Sequence, residues 1–324
     1  MKTRTVLFTL ALALAPAIFC ATMDGPRLGM VFDPAHRTLR PLLGIPGAAV
    51  LGQPVELDVF LSKAVVSPQQ DYVLATFGDQ QAVGLMVVSA AVTKPVALSG
   101  VGQAPDQMAL SAAGHAGALY YQNANKIQVL GGLPAAPKVA AEFYLSAGQF
   151  PLTLAVSDDA QTVLAALGHG VYWINAQGEV PVATGLERVS SIALAPDHTA
   201  LIADTVGNRI QRVRNVTGTP QADSLAGSEQ GISAPVAVAF SSDSQRGFVA
   251  NGKSGMITIL DLAGKSPIAS ISCGCKPTGL DRLSGNDVFR LTRPSNQPMW
   301  LFEAGGVQPR VVFVPADSPR RKQE

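Results

Sequence analysis

Charge, aromatic rings, cysteine and long apolar runs are all scarce in this chain, and each scarcity removes a class of function. Charged residues make up 15% of the 324 and the net charge is +1, against roughly 25% charged residues in an ordinary soluble domain. Such a balance offers no basic surface to nucleic acid or to an anionic membrane. Aromatic residues are 6%, too few for the stacked Trp and Tyr platform of a sugar binder. The four histidines, His36, His115, His169 and His198, lie far apart, without the spacing of a zinc set. There is no Gly-x-Ser-x-Gly elbow and no phosphate loop. Beyond the N-terminus no stretch reaches the roughly 20 apolar residues that cross a bilayer, so no membrane span is expected. No catalytic residue, metal or cofactor can be assigned from these features.

The N-terminus itself is informative. Lys2 and Arg4 precede VLFTLALALAPAIF, an apolar run of 14 residues, which is short for a membrane span and suits the core of a secretory signal. Small residues at Ala15 and Ala17 allow cleavage after Ala17, and a site near Ala21 also fits. Residues 1–21 are therefore expected to be a signal peptide, and the mature chain to be periplasmic or extracellular. Cys20 raises a lipoprotein reading, but Ile18 and Phe19 are bulky where such signals carry small residues, so anchoring through Cys20 is not expected. The mature chain then keeps Cys273 and Cys275, and export permits them a disulfide.

A repeat runs through the rest. Polar turns each precede an apolar run in VSPQQDYVLATF, LSAAGHAGALYY, VSDDAQTVLAAL, LAPDHTALIAD, FSSDSQRGFVAN and RLSGNDVFRLT. The second residues of the first five are Ser67, Ser111, Ser157, Ala195 and Ser241, in steps of 44, 46, 38 and 46. Prolines at 105, 151, 235 and 277 repeat the same period. Within it the apolar runs are short, β-branched and bounded by Gly, Pro, Asn or Asp, which is a strand pattern. Four strands in about 43 residues is a propeller blade. The expected fold is all-β: one propeller domain over residues 27–316, with four-stranded antiparallel blades. Blades over 63–104, 105–150, 151–189, 190–234, 235–276 and 277–314 make six. Strands in 27–62 add an atypical N-terminal blade, so the count is six to seven, with seven favoured. VELDVFLSKAVV, residues 55–66, could instead be a helix. The tail 317–324 is polar and charged and is expected to be disordered, and the protein to be a monomer.

Two blades carry a resemblance. Residues 248–280, FVANGKSGMITILDLAGKSPIASISCGCKPTGL, resemble a YVTN-type repeat through Ala250, Asn251, Asp261, Gly264, Lys265 and Pro277. Residues 201–213, LIADTVGNRIQRV, resemble an NHL-type repeat through Ala203, Asp204, Asn208, Arg209 and Ile210. The resemblance implies structural roles for these residues, with Asp204 and Arg209 as partners inside the blade.

Cys273 and Cys275 flank one glycine, between the outer strand of one blade and the inner strand of the next. A disulfide needs Cα atoms within about 4.4–6.8 Å, and two residues of extended strand already span roughly 6.6 Å. Gly274 supplies the bend a clip requires; free thiols and a metal or redox pair are the alternatives. Of the four histidines only His169 is expected on the same face as the cysteines; His115 and His198 are expected on the other. With Lys276 and Asp281, His169 forms a candidate binding rim for an unknown protein or small ligand. The alternative function is an enzyme in the central channel, of the metal-dependent lactonase or lyase type found on such propellers. That would require polar ligands converging from several inner strands, and those strands read as apolar or small.

Overall fold

The computed structural model of the protein describes residues 25–89, 92–264 and 266–316; the segment 1–21 and the tail 317–324 lie outside them. Among the described residues there are seven antiparallel sheets and one short 3-10 turn, Ser228–Gln230. Six sheets have four strands in chain order. They form blades 2 to 7, beginning at Leu61, Gln107, Pro151, Val189, Pro235 and Asp281. Blade 1 has three strands: β1 (Arg27–Asp33), β2 (Thr38–Ile45) and β3 (Ala48–Leu51). The helix considered for VELDVFLSKAVV does not form. Its second half is the strand Leu61–Val66, paired with Tyr72–Phe77, and Val55 and Leu57 pack beside it. The apolar spacing there suits either structure, and the sheet partner decides it.

The burial of each strand follows from its place in the blade. Second strands lie between neighbouring blades, so both faces need apolar or small residues. Every residue of Val163–Leu167 and of Ala116–Tyr121 is buried. Outer strands have one wet face, and Lys138–Tyr144 alternates accordingly. Seven apolar clusters each join two adjacent blades. Leu164 and Val171 of blade 4 meet Ile202 and Val213 of blade 5. Leu28 and Val31 of blade 1 meet Leu301 and Val314 of blade 7, which closes the ring.

The repeated polar turn joins each innermost strand to the second. The buried hydroxyls of Ser111, Ser157 and Ser241 accept the N–H groups of Ala116, Thr162 and Arg246 at 2.9–3.0 Å. Three residues after each turn's first position the backbone becomes left-handed, at Gln70, Gly114, Ala160, His198 and Ser244. Asp159 and Asp243 accept the Ser157 and Ser241 hydroxyls at 2.5 Å. These acids build turns, as Asp does when it accepts from its own turn.

Blade 1 is out of phase with the others. Its first turn, residues 34–37, sits beside the start of Leu61–Val66, because Leu61 N–H donates to Arg37 O at 2.9 Å. The start of β1 sits at the opposite face, where Ser284 N–H donates to Leu28 O at 2.9 Å and Gln70 Oε1 accepts from Met30 N–H at 2.7 Å. β1 therefore runs as the second strand of the other blades does. The innermost position of blade 1 is empty among the described residues. Gln70 also donates through Nε2 to Arg282 O at 2.8 Å, bridging blades 1, 2 and 7. One sequence expectation changes: His36, in this first turn, shares the cysteine face with His169.

Candidate functional site

The cysteine face carries a hollow built by three loops. The loop after Arg246–Asn251 is held by Asn251, which is fully buried. Its Oδ1 accepts from Ser233 N–H at 2.9 Å, and its Nδ2 donates to Thr258 Oγ1 at 3.0 Å and to Met256 O at 3.2 Å. Gly252 N–H donates to Ala234 O, and Cys273 N–H to Gly255 O at 2.8 Å. The loops approach so closely that a side chain would be crowded at two positions. A side chain at Gly252 would meet Val236 Cγ1 at 2.6 Å. One at Gly255, where φ is +67°, would meet Cys275 O at 2.7 Å.

The cysteines are bonded to each other, with Cα atoms 4.9 Å apart, and Gly274 between them has φ +65°. Cys273 is buried in the core between blades 6 and 7, while Cys275 is half exposed. The resulting hollow, about 730 Å³, is lined by Val236, Lys253, Ser254, Cys275 and Lys276 among others. Its two ionisable groups are both lysines, and both are exposed. The arrangement can hold an anionic group against an otherwise small, flat floor. Lys253 and Ser254 were not singled out in the sequence; the signal was the glycine-bounded loop NGKSG.

The central channel, about 780 Å³, is walled by Val66, Leu154, Ile192, Val238 and other innermost-strand residues, with β1 filling the side of blade 1. Most of its ionisable groups already have partners. Arg290 Nη2 donates to Asp281 at 2.5 Å. Lys63 Nζ donates to Pro105 O at 2.7 Å and Asp106 O at 2.9 Å. Arg282 donates to Asp287 and to Phe240 O, and Asp158 accepts Ala113 N–H. Among the described residues no three His, Cys, Asp or Glu gather where they could share a metal ion.

The structure separates the three residues of the expected rim. Lys276 lines the hollow and Asp281 lines the channel, tied to Arg290. His169 is on blade 4, its Nδ1 3.0 Å from Leu186 O. The division arises because Asp281 already belongs to the innermost strand Asp281–Arg282, five residues past Lys276. The repeat residues lie inside blades 5 and 6. Asp204 is fully buried and takes four donors: Glu187 and Arg188 N–H, Gly207 N–H, and Arg209 Nε at 3.0 Å. Burial pushes its carboxyl up, but these donors outweigh burial and hold it below the ordinary carboxylate range. Asn208 is left-handed, at φ +48°, and its Oδ1 accepts Ala234 N–H at 2.7 Å, tying blade 5 to the floor of the hollow. Asp261 accepts Ala263 N–H and closes a turn.

No known protein family and no curated protein matches the chain in sequence. Solved structures match in shape. A protein of unknown function from Desulfotomaculum acetoxidans has TM-score 0.60 at 13% identity, over 90% of this chain and 100% of its own. Virginiamycin B lyase from Staphylococcus aureus has TM-score 0.56 at 14% identity, over 79% of this chain and 84% of its own. Hydrazine synthase from Kuenenia stuttgartiensis has TM-score 0.52 at 13% identity, over 94% of this chain and 100% of the matched chain. At such identities the likeness shows the fold alone: the chain is a seven-bladed β-propeller.

Proposed function

We propose that this is an exported, non-catalytic binding or scaffold propeller, and that the hollow beside Cys273–Cys275 receives a partner presenting an anionic group. The observation that carries the reading is the lining of the hollow: Lys253 and Lys276 are exposed and no acid lines it with them. The lysines stand on a floor fixed by buried Asn251 and by the disulfide, so an incoming carboxylate meets a surface that loses little freedom on binding. The channel supports catalysis less well, because Asp281, Arg290, Lys63 and Asp158 are engaged by neighbours in the fold. Export rests on the Lys2 and Arg4 start and the 14 apolar residues that follow. A bonded cysteine pair is compatible with it, and no helix of the described residues is long and apolar enough to cross a membrane.

The test is site-specific photocrosslinking in the native host. A photoreactive side chain placed at Ser254 should capture a discrete adduct that the same group at His115, on the opposite face, does not. Adducts at both sites alike, or at His115 alone, would contradict the reading.

A further inference from the structure

The two cysteines of the clip stand in different surroundings. Cys273 is 2% exposed and packs with Ala237, Phe248 and Phe289 between blades 6 and 7. Its N–H donates to Gly255 O at 2.8 Å, which ties it to the loop 251–255. Cys275 is partly exposed and lines the hollow. A thiolate arriving from solvent therefore meets the Cys275 end of the bond first. Disulfide exchange proceeds by attack of a thiolate on one of the two sulfurs, and access helps to decide which one is attacked.

The hollow also discriminates between thiols. Lys253 and Lys276 are exposed on its wall, and no His, Asp or Glu lines it with them. Two cations in the same hollow as an accessible cysteine raise the local concentration of anions and favour the thiolate form of a nearby thiol. At about 730 Å³ the hollow falls within the size range of small-molecule sites. An incoming molecule that carries both a thiol and carboxylates can therefore place its acid groups on the lysines and its sulfur at Cys275.

We propose that Cys275 is a site of thiol–disulfide exchange with small carboxylate-bearing thiols, received in the hollow by Lys253 and Lys276. The thiolate attacks Cys275 Sγ and forms a mixed disulfide with it. The Cys273–Cys275 bond breaks, and its electron pair leaves on Cys273 Sγ. A thiolate is disfavoured in the apolar surroundings of Cys273, so this sulfur takes up the proton that the incoming thiol released and ends as a thiol. The incoming thiol is oxidised, the clip is reduced, and no further reactant is required. Return attack by Cys273 expels the thiol and restores the clip. The proposal rests on the hollow as an anion-receiving surface and adds the chemical class of what it receives.

The test uses the full chain as its host exports and processes it, with glutathione as the anionic probe and cysteamine as the cationic one. Glutathione should open the clip of the native protein at least about tenfold faster than cysteamine at equal thiolate concentration, and the difference should shrink as salt is added. Acid quenching and peptide mass analysis should find glutathione on Cys275 and not on Cys273. In Cys273→Ser the return attack is removed, and the Cys275 thiolate should take glutathione from glutathione disulfide at least about tenfold faster than it takes cysteamine from cystamine. Lys253→Glu/Lys276→Glu should abolish or invert both preferences. Glutathione on Cys273, equal rates for the two probes, or a preference unchanged in the glutamate pair would each overturn the proposal. Should Cys273→Ser fail to fold, the opening rates and adduct position in the native clip decide alone. If the charge preference fails while capture through Ser254 still depends on the two lysines, the exchange is wrong and the anion-receiving hollow stands; if both fail, both are wrong.

Discussion

Replacing Asp204 by alanine removes one carboxylate and strands four donors. Glu187, Arg188 and Gly207 lose the acceptor of their N–H groups, and Arg209 loses its ion pair. Breaking a buried pair by deleting one member costs about 3–5 kcal/mol. Asp204 is fully buried, but the Arg209 side chain is 33% exposed, and water reaching it relieves part of that penalty. The lower end, about 3 kcal/mol, is therefore expected. In a propeller of this length each kcal/mol moves the melting temperature by about 2 °C, so a fall of about 6 °C should appear. Asp204→Asn keeps an acceptor oxygen and loses the charge, and should fall roughly half as far. The pH dependence has a defined sign. The folded carboxyl is held below its ordinary value, so its stabilisation is present above the unfolded pKa of about 4 and is lost as pH falls through the folded value. The gap between wild type and Asp204→Asn should therefore narrow from pH 7 to pH 3. Circular dichroism melts at both pH values measure this. An unchanged melting temperature in Asp204→Ala, or a gap that widens in acid, would refute the reasoning.

Three further outcomes follow from named contacts. Gln70→Ala leaves Met30 N–H without its acceptor and cuts the link to Arg282, so it should cost about 1–3 kcal/mol and speed amide exchange at Met30. The double variant Cys273→Ser/Cys275→Ser should lose only about 1–2 kcal/mol, because so small a ring restrains little of the unfolded chain. Thiol labelling of denatured, unreduced wild type should leave both cysteines unmodified. Gly255→Val places a branched side chain at φ +67° and 2.7 Å from Cys275 O, which should cost about 1–3 kcal/mol by chemical denaturation and abolish capture at the hollow.

The blades were legible because the same polar turn recurs, and its hydroxyl, acid and left-handed residue sit at fixed offsets. The resemblance of Asp204 and Asn251 to repeat residues also translated directly, since each ends a second strand and receives donors from the adjoining loop. Blade 1 was harder to read because, among the described residues, it shows no innermost strand, and a bulge at Arg27/Gly29 shifts its spacing. That same phase moved His36 to the cysteine face. The hollow was legible only in part. Cys275 and Lys276 stood out in the sequence, but Lys253 and Ser254 join them through Gly255 and Ala234, contacts between loops about 20 residues apart. Asp281 looked like a rim residue because nothing in CGCKPTGLDRL marks where the loop ends and the strand begins.

The measurement that bears most directly on the hollow as the working surface is charge reversal, read as yield of the adduct captured through Ser254. Lys253→Glu/Lys276→Glu should cut that yield by about tenfold or more while the melting temperature stays near wild type, as removal of two rim cations acting on an anionic partner requires. Arg293→Glu, among the residues that line the channel, should leave the yield unchanged. Full capture by the double lysine variant, with loss in Arg293→Glu, would move the function from the rim to the channel and contradict the account.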